Sequence, residues 1–320
     1  MEHSLALALS HATEAGAIQA AYEAGFGNKI GADKAAVKAM REYLNSVEFK
    51  GRVVIGEGER DEAPMLYIGE ELGTGKGKSI DIAVDPLENT NATAVFGPRA
   101  ISVLSASEKN GLFHAPDMYM EKLIVGPDSA GKVHIDDPVK KTLKTIASSL
   151  KRDIKDLVVV VLDRDRHEEL ITDIRRTGAR VKLIPDGDLL PGVAACMRGT
   201  GVHAVMGIGA APEGVMTAAA IRCLKGEMQG RFWVKNKEEE NRLKKMGGDP
   251  KKIYSHKQLA SGKQIVFCAT GVTNGDLLKG VRFFGGGART HTLVMSNQSD
   301  KIRFIDTTHV FDKKRINYRL

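Results

Sequence analysis

Cysteine is scarce in this chain: Cys196, Cys223 and Cys268 are the only three among 320 residues. Their wide spacing excludes a CxxC metal motif, and their odd number argues against a disulfide framework. They read as small buried hydrophobes. Aromatic residues make up 5% of the chain, with a single Trp, too few for the base-stacking surface of a nucleic-acid binder. No apolar run approaches the ~20 residues that cross a bilayer, so a membrane partner is not expected either. A Walker phosphate loop is missing, which removes ATP-driven phosphoryl transfer. The G-x-S-x-G elbow of acyl-transfer hydrolases is missing too. The histidines have no H-E-x-x-H or comparable spacing. Fixed-period repeats, low-complexity tracts and long linkers do not occur.

What is present is an ordinary globular composition, 42% hydrophobic and 27% charged, with a mean hydropathy of -0.21. That length and balance support one substantial core or two packed subdomains. The net charge of +7 and pI of about 9.2 favour anionic partners. The basic residues are scattered, apart from Lys244-Lys245, Lys251-Lys252 and Lys313-Lys314-Arg315. The first residues, MEHSLALALSHATEAG, carry Glu2 where a secretory signal has a basic head, and they read as the start of a helix. The expected compartment is the cytoplasm.

Periodicity gives the organisation. An Ala-rich amphipathic helix is predicted over 30–47, then short strands at Val53–Ile55 and Ile80–Val84, with further strands over 100–107 and 119–125. A helix follows at Pro138–Leu150. From LVVVVL (157–162) onward, strands and helices alternate through RVKLIP, DLLPGVAACMRG, VHAVMGIG and EGVMTAAAIRCLKG. Such alternation argues for an α/β fold, an α+β sandwich-like pair of subdomains with mixed sheets flanked by helices. The expected boundary divides 1–155 from 156–320. THTLVMSN and KIRFIDTTHVF read as an antiparallel pair that packs back on the first half.

The chemistry centres on Val84-Asp85-Pro86-Leu87-Glu88-Asn89-Thr90-Asn91. Pro86 can start a helix, because the first helical position needs no N–H. In a helix, Asp85 and Glu88 lie one turn apart and can share or bridge hard cations. Thr90 then stands where unpaired N–H groups favour an anion. The same Asp-x-x-Glu also arises as a helix cap with its capping-box acid, and both readings stand at this point. Glu57 and Glu59 close a β-branched strand between Gly56 and Gly58, where α/β sheets place ligands; Asp61 and Glu62 add acid nearby.

Taken singly, Asp33 and Glu213 read as first-turn or capping residues of their helices. Gly207 and Gly209 would suit close passage of a phosphate or sugar. Arg164 and Arg166, after the LVVVVL strand, suit a forked grip on a phosphate or pairing with Asp163 and Asp165. Asp186 and Asp188 of Pro185-Asp186-Gly187-Asp188 suit sugar hydroxyls or a turn.

At these residues the sequence resembles the class II fructose-1,6-bisphosphatases, within the lithium-sensitive metal phosphatases. The likeness runs through NKIGADKAAVKAMR, VVIGEGERDEAPMLYIGE, VDPLENTN, HAPDMYMEKLIVGP, IPDGD, GIGAAPEGV and FCATGVTNGDLL, nearly the whole chain. The resemblance implies a sugar-phosphatase fold that hydrolyses the 1-phosphate of fructose 1,6-bisphosphate. Broader action on sedoheptulose 1,7-bisphosphate and a non-catalytic sugar-phosphate sensor are the alternatives. It implies Mg²⁺ or Mn²⁺ on Asp33, Glu57, Asp85, Glu88 and Glu213, with Thr90, Asp33 and Glu57 catalytic. It implies a substrate site lined by Glu88, Asn89, Thr90, Tyr119, Arg164, Asp165, Arg166, Asp186, Gly187, Asp188 and Ala210, with Lys29 and Asp61 in support, and a homo-oligomer, dimer or tetramer. Two positions depart from the family: Asn89 stands where Gly is usual, as does Ala210. Asn tolerates left-handed backbone, so the loop can survive the first change.

Overall fold

The computed structural model describes residues 3–58, 65–299 and 301–311. In chain order the first elements are α1 (His3–Tyr22), α2 (Lys29–Leu44), β1 (Lys50–Ile55), β2 (Glu71–Leu72), β3 (Ser79–Glu88), α3 (Thr90–Ala94) and β4 (Ile101–Glu108). Next come β5 (Tyr119–Val125), α4 (Val139–Leu150), β6 (Val158–Leu162), α5 (Glu168–Arg176), β7 (Arg180–Ile184) and α6 (Leu189–Ala195). They are followed by β8 (Ala204–Ala210), α7 (Ala211–Leu224), β9 (Glu227–Trp233), α8 (Lys237–Lys245), β10 (Ile253–Ser255) and α9 (His256–Leu259). The chain closes with β11 (Ile265–Gly271), β12 (Arg282–Phe284), β13 (Gly287–Ser296) and β14 (Ile302–Val310).

Two compact units result, 1–105 with 266–320, and 106–265. The division differs from the one expected at residue 155, and pairing explains why. β5 lies between β8 and β9, antiparallel to both, so the segment after β4 belongs to the second sheet. Periodicity marks a strand but not its partner.

Among the described residues the first unit's sheet has eight strands, in the order β12-β13-β11-β4-β3-β1-β2, with β14 on β13. β1 and β3 run parallel, while β11, β12 and β14 are each antiparallel to β13. The returning C-terminal strands therefore complete the sheet that β1 and β3 begin. Ala17 and Ala20 of α1 and Ala32 and Ala36 of α2 form one cluster with Leu87, Ala100 and Val272. A Cβ on Gly16 would stand 2.6 Å from Ser102 Oγ, so these small side chains set a close helix-to-sheet spacing.

The second unit's sheet runs β10-β9-β5-β8-β6-β7 among the described residues, with β6 parallel to β7 and β8. Alternation along β5 separates its two faces. Leu123 and Val125 join the core under α4 and α5 with Val159, Val161, Ile146 and Ile174. Ile124 instead meets the space at Gly192 of α6, and Met120 and Lys122 meet Gly214 of α7. No helix among the described residues is long and apolar enough to cross a membrane.

Candidate active site

The first unit carries Asp33, Glu57, Asp85 and Glu88. Asn28 caps α2, its side chain accepting from Gly31 N–H at 2.9 Å. The capping role read for Asp33 is thus taken by Asn28, and Asp33 lies one turn in, half-buried, while Lys29 is exposed at the helix start. The Ala32–Leu87 cluster draws this turn of α2 to the end of β3.

Glu57 sits on the bend after β1. Its N–H donates to Leu66 O at 3.1 Å, and Ile68 N–H donates to Gly58 O at 2.9 Å. The Leu66 turn is fixed in its own right, because the Glu70 carboxylate accepts from Arg41 Nε at 2.5 Å and from Leu66 N–H. A Cβ on Gly56 would stand 2.0 Å from Leu66 O. Gly56 is therefore required by this chain crossing and not by a ligand. Asp61, with Glu59 and Glu62, lies outside the described residues.

Burial raises the Asp33 carboxyl above its ordinary value. Burial, with the like charge of Asp33 added, pushes Glu57 up to about 8. Two carboxylates that oppose each other's ionisation favour a shared proton or a cation.

The helix expected at Asp85 is absent. β3 runs on to Glu88, and α3 begins only at Thr90. Asp85 Oδ1 accepts from Leu87 N–H at 3.1 Å, a local turn bond that competes with helix, and Pro86 has no N–H to give. Leu87 packs into the alanine cluster and fixes this extended path. Asp85 and Glu88 are therefore not one helical turn apart. Glu88 is buried and Asp85 half-buried.

Asn89 holds the left-handed conformation, φ 68 and ψ 52, as its side-chain chemistry allows. Its Oδ1 caps Ala92 N–H at 3.3 Å, taking one donor of the expected anion cradle, and its Nδ2 is buried without a partner. α3 has only 5 residues, so its dipole is small and the cradle rests on individual N–H groups.

In the second unit, Asp163, Arg164 and Asp165 follow β6 and are exposed. Arg164 donates to Asp163 O at 2.9 Å and stands 3.9 Å from Asp186. Arg166 donates through Nε and Nη2 to Ile208 O, at 3.2 and 2.8 Å, and its guanidinium lies 4.7 Å from the centroid of Tyr119. Among the described residues neither arginine pairs with Asp165. Gly187 has φ 76 and donates to Asp186 Oδ1 at 3.1 Å. Both Asp188 oxygens accept from Lys122 Nζ, at 3.0 and 2.8 Å, in a buried ion pair.

Those contacts correct the reading of Gly207 and Gly209. A Cβ on Gly209 would stand 2.2 Å from Asp188 Oδ2, and one on Gly207 would stand 2.9 Å from His167 Nε2. The glycines make room for protein side chains. His167 is buried, its Nδ1 2.7 Å from Leu162 O and its Nε2 accepting from Ile208 N–H at 2.7 Å, which fixes the tautomer. It ties the β6 end to β8, with its pKa lowered chiefly by burial.

Ala210 precedes α7 and pairs across the sheet with Tyr119. Glu213, in the first turn of α7, caps nothing through its Oε2, which is buried without a partner. Burial raises Glu213 to about 7, against the opposing pull of Lys122. Asp33 and Glu57 are hard oxygen donors with no cation opposing their rise, and Glu213 stays raised despite Lys122, so all three suit a divalent cation. Among the described residues no three Asp, Glu, His or Cys side chains are gathered into a ligating group.

A family model described as bacterial fructose-1,6-bisphosphatase, glpX-encoded, matches residues 3–309. The chain belongs to this family. It is a family of phosphoric monoester hydrolases, and the match spans both units. A protein named D-fructose 1,6-bisphosphatase class 2/sedoheptulose 1,7-bisphosphatase from a Synechococcus species is 52% identical, over 98% of this chain and 97% of its own length. Proteins of the same name from Gloeobacter violaceus and Thermosynechococcus vestitus are 49% and 48% identical, each over 98% of this chain and 97% and 98% of their own.

Sequence reasoning passed over two cations of this family member. Lys122 interrupts the apolar face of β5 between Met120 and Ile124, and a lysine on such a register needs a buried acid. Lys235, just past β9, shares the Tyr119 ring with Arg166 and gave no pattern signal.

Proposed function

We propose that the chain hydrolyses the 1-phosphate of fructose 1,6-bisphosphate, using Mn²⁺ or Mg²⁺, to fructose 6-phosphate and phosphate. The observation that carries this reading is the whole-length family match. The opposed carboxylates of Asp33 and Glu57 support the metal requirement. Asp33, Glu57, Asp85 and Glu88 of the first unit and Glu213 of the second are the proposed ligands. A divalent ion there neutralises phosphoryl charge and lowers the pKa of water.

The chain's own groups do the rest. The Thr90 hydroxyl, with Asp33, orients the attacking water, and backbone N–H groups beside Asn89 and Thr90 receive the phosphoryl oxygens. Arg164 and Arg166 hold the distal phosphate. Asp186 and Asp188 accept from sugar hydroxyls; the Lys122 pair leaves Asp188 lone pairs to spare, since a carboxylate offers about four. Tyr119, Asp165, Gly187 and Ala210 complete the lining. The direction of the reaction fits gluconeogenesis in the cytoplasm.

A second substrate, sedoheptulose 1,7-bisphosphate, is favoured by the double name that the relatives carry. The test is phosphate release from each bisphosphate with Mn²⁺, Mg²⁺ or chelator. Metal-dependent release is expected, and none with either ion would refute the reading. Thr90→Ala should lower kcat by roughly a hundredfold with an unchanged melting curve; full kcat would remove its role.

A further inference from the structure

Lys235 follows Trp233 at the end of β9, and its ammonium stands 4.2 Å from the centroid of the Tyr119 ring and 5.6 Å from that of Trp233. Tyr119 and Trp233 are direct partners across β5 and β9, their rings edge to face at 5.9 Å. Arg166 approaches the same tyrosine, its guanidinium carbon 4.7 Å from the centroid. One half-exposed ring thus carries two cations. Cation–π attraction at such a ring is weak and does not cancel repulsion between like charges.

Neither cation is neutralised by an ion pair among the described residues. The Glu239 carboxylate accepts from the Lys235 backbone N–H at 2.8 Å, not from its ammonium. Arg166 spends Nε and Nη2 on Ile208 O, which fixes the guanidinium and leaves Nη1 as an available donor. A fixed guanidinium with Nη1 to give and a flexible ammonium at one aromatic ring match the needs of a phosphate dianion: a held donor and a mobile point charge.

We propose that Lys235 binds the distal, uncleaved phosphate of the bisphosphate, clamping it against the Nη1 edge of Arg166 over Tyr119. This rests on the sugar-bisphosphatase reading given above, and it makes Lys235 a residue that selects bisphosphates over monophosphates. The four-carbon stem adjusts its reach, so the clamp serves a distal phosphate on C6 or C7 alike.

The test compares Lys235→Ala and Lys235→Arg with the unsubstituted enzyme on fructose 1,6-bisphosphate, sedoheptulose 1,7-bisphosphate and fructose 1-phosphate. Losing one charge-assisted phosphate contact should raise KM for both bisphosphates roughly ten- to a hundredfold in Lys235→Ala, with kcat little changed. KM for fructose 1-phosphate should move by less than about twofold, as for an ordinary surface change. Lys235→Arg should recover most of the loss. An unchanged bisphosphate KM overturns the proposal, and so does an equal loss on the monophosphate, which is what mere support of Tyr119 would give. Calorimetric binding of fructose 1,6-bisphosphate separates the two levels. If the unsubstituted enzyme binds it without turnover and Lys235→Ala weakens that binding, the clamp stands and the hydrolase reading falls. If it neither binds nor hydrolyses, both fall.

Discussion

Asp33 and Glu57 of the first unit and Asp188 of the second meet opposite circumstances. In the first, Asp33 and Glu57 lie close enough to hinder each other's ionisation, and no ammonium or guanidinium pairs with either among the described residues. In the second, Asp188 is embraced by the buried ammonium of Lys122, and Arg166 and Lys235 gather at the Tyr119 ring. Carboxylates without counter-charge invite a metal ion. A carboxylate already paired is a fixed acceptor, and the surplus cations at Tyr119 invite an anion. The same residue type therefore does two jobs, and the neighbouring charge decides which.

Removing Lys122 attacks the second arrangement most severely. Lys122→Met leaves Asp188 buried and unpaired, which should cost about 3–5 kcal/mol of stability in urea unfolding. Joining it with Asp188→Leu should recover much of that, because an apolar pair needs no compensation. A single variant within about 1 kcal/mol of the parent would mean that water reaches Asp188 and that the pair does not organise this end of the sheet.

Glu57→Gln breaks the first arrangement. Phosphate release should fall roughly a hundredfold or more, as for loss of a metal ligand. Glu57 ionises near 8 in the folded chain against 4.5 ordinarily, so in chelator the folded state holds the extra proton between those values. Its stability then declines as pH rises from 4.5 and the decline is complete above about 8. Gln cannot ionise, so thermal melts of Glu57→Gln should lose that slope. An identical slope would clear Glu57 of the effect. Divalent-metal affinity should tighten with pH up to about 8, because binding releases the proton.

Much of this was legible in the sequence where the governing interaction is local. The strands β6, β7 and β8 and their helices follow directly from periodicity, and the left-handed Asn89 follows from what its side chain tolerates. The reading failed where a distant partner decides. Pro86 suits a helix start and a strand end equally, and Leu87 in the alanine cluster chose the strand. β5 looked like part of the first half until its pairing with β8 and β9 assigned it to the second. Gly207 and Gly209 resembled ligand-facing glycines, although His167 and Asp188 fill the space they leave. No spacing rule reports which side chain another loop will insert.

The mildest test returns to the first unit, at the position where Asn replaces the family's usual glycine. Asn89→Gly loses the cap on Ala92 N–H but relieves the left-handed backbone, and the two changes should nearly cancel, within a few tenths of a kcal/mol. Asn89→Ala loses the same cap and keeps the strain, so it should be less stable by about 1–2 kcal/mol. The pair of variants thus separates backbone from side chain. Activity then addresses the buried, unpartnered Nδ2. If that amide only fills space, Asn89→Gly keeps kcat/KM within about threefold, since the backbone donors of the cradle remain. A loss of about tenfold or more would mean that Nδ2 bonds to the substrate, giving the first unit a neutral donor among its carboxylates.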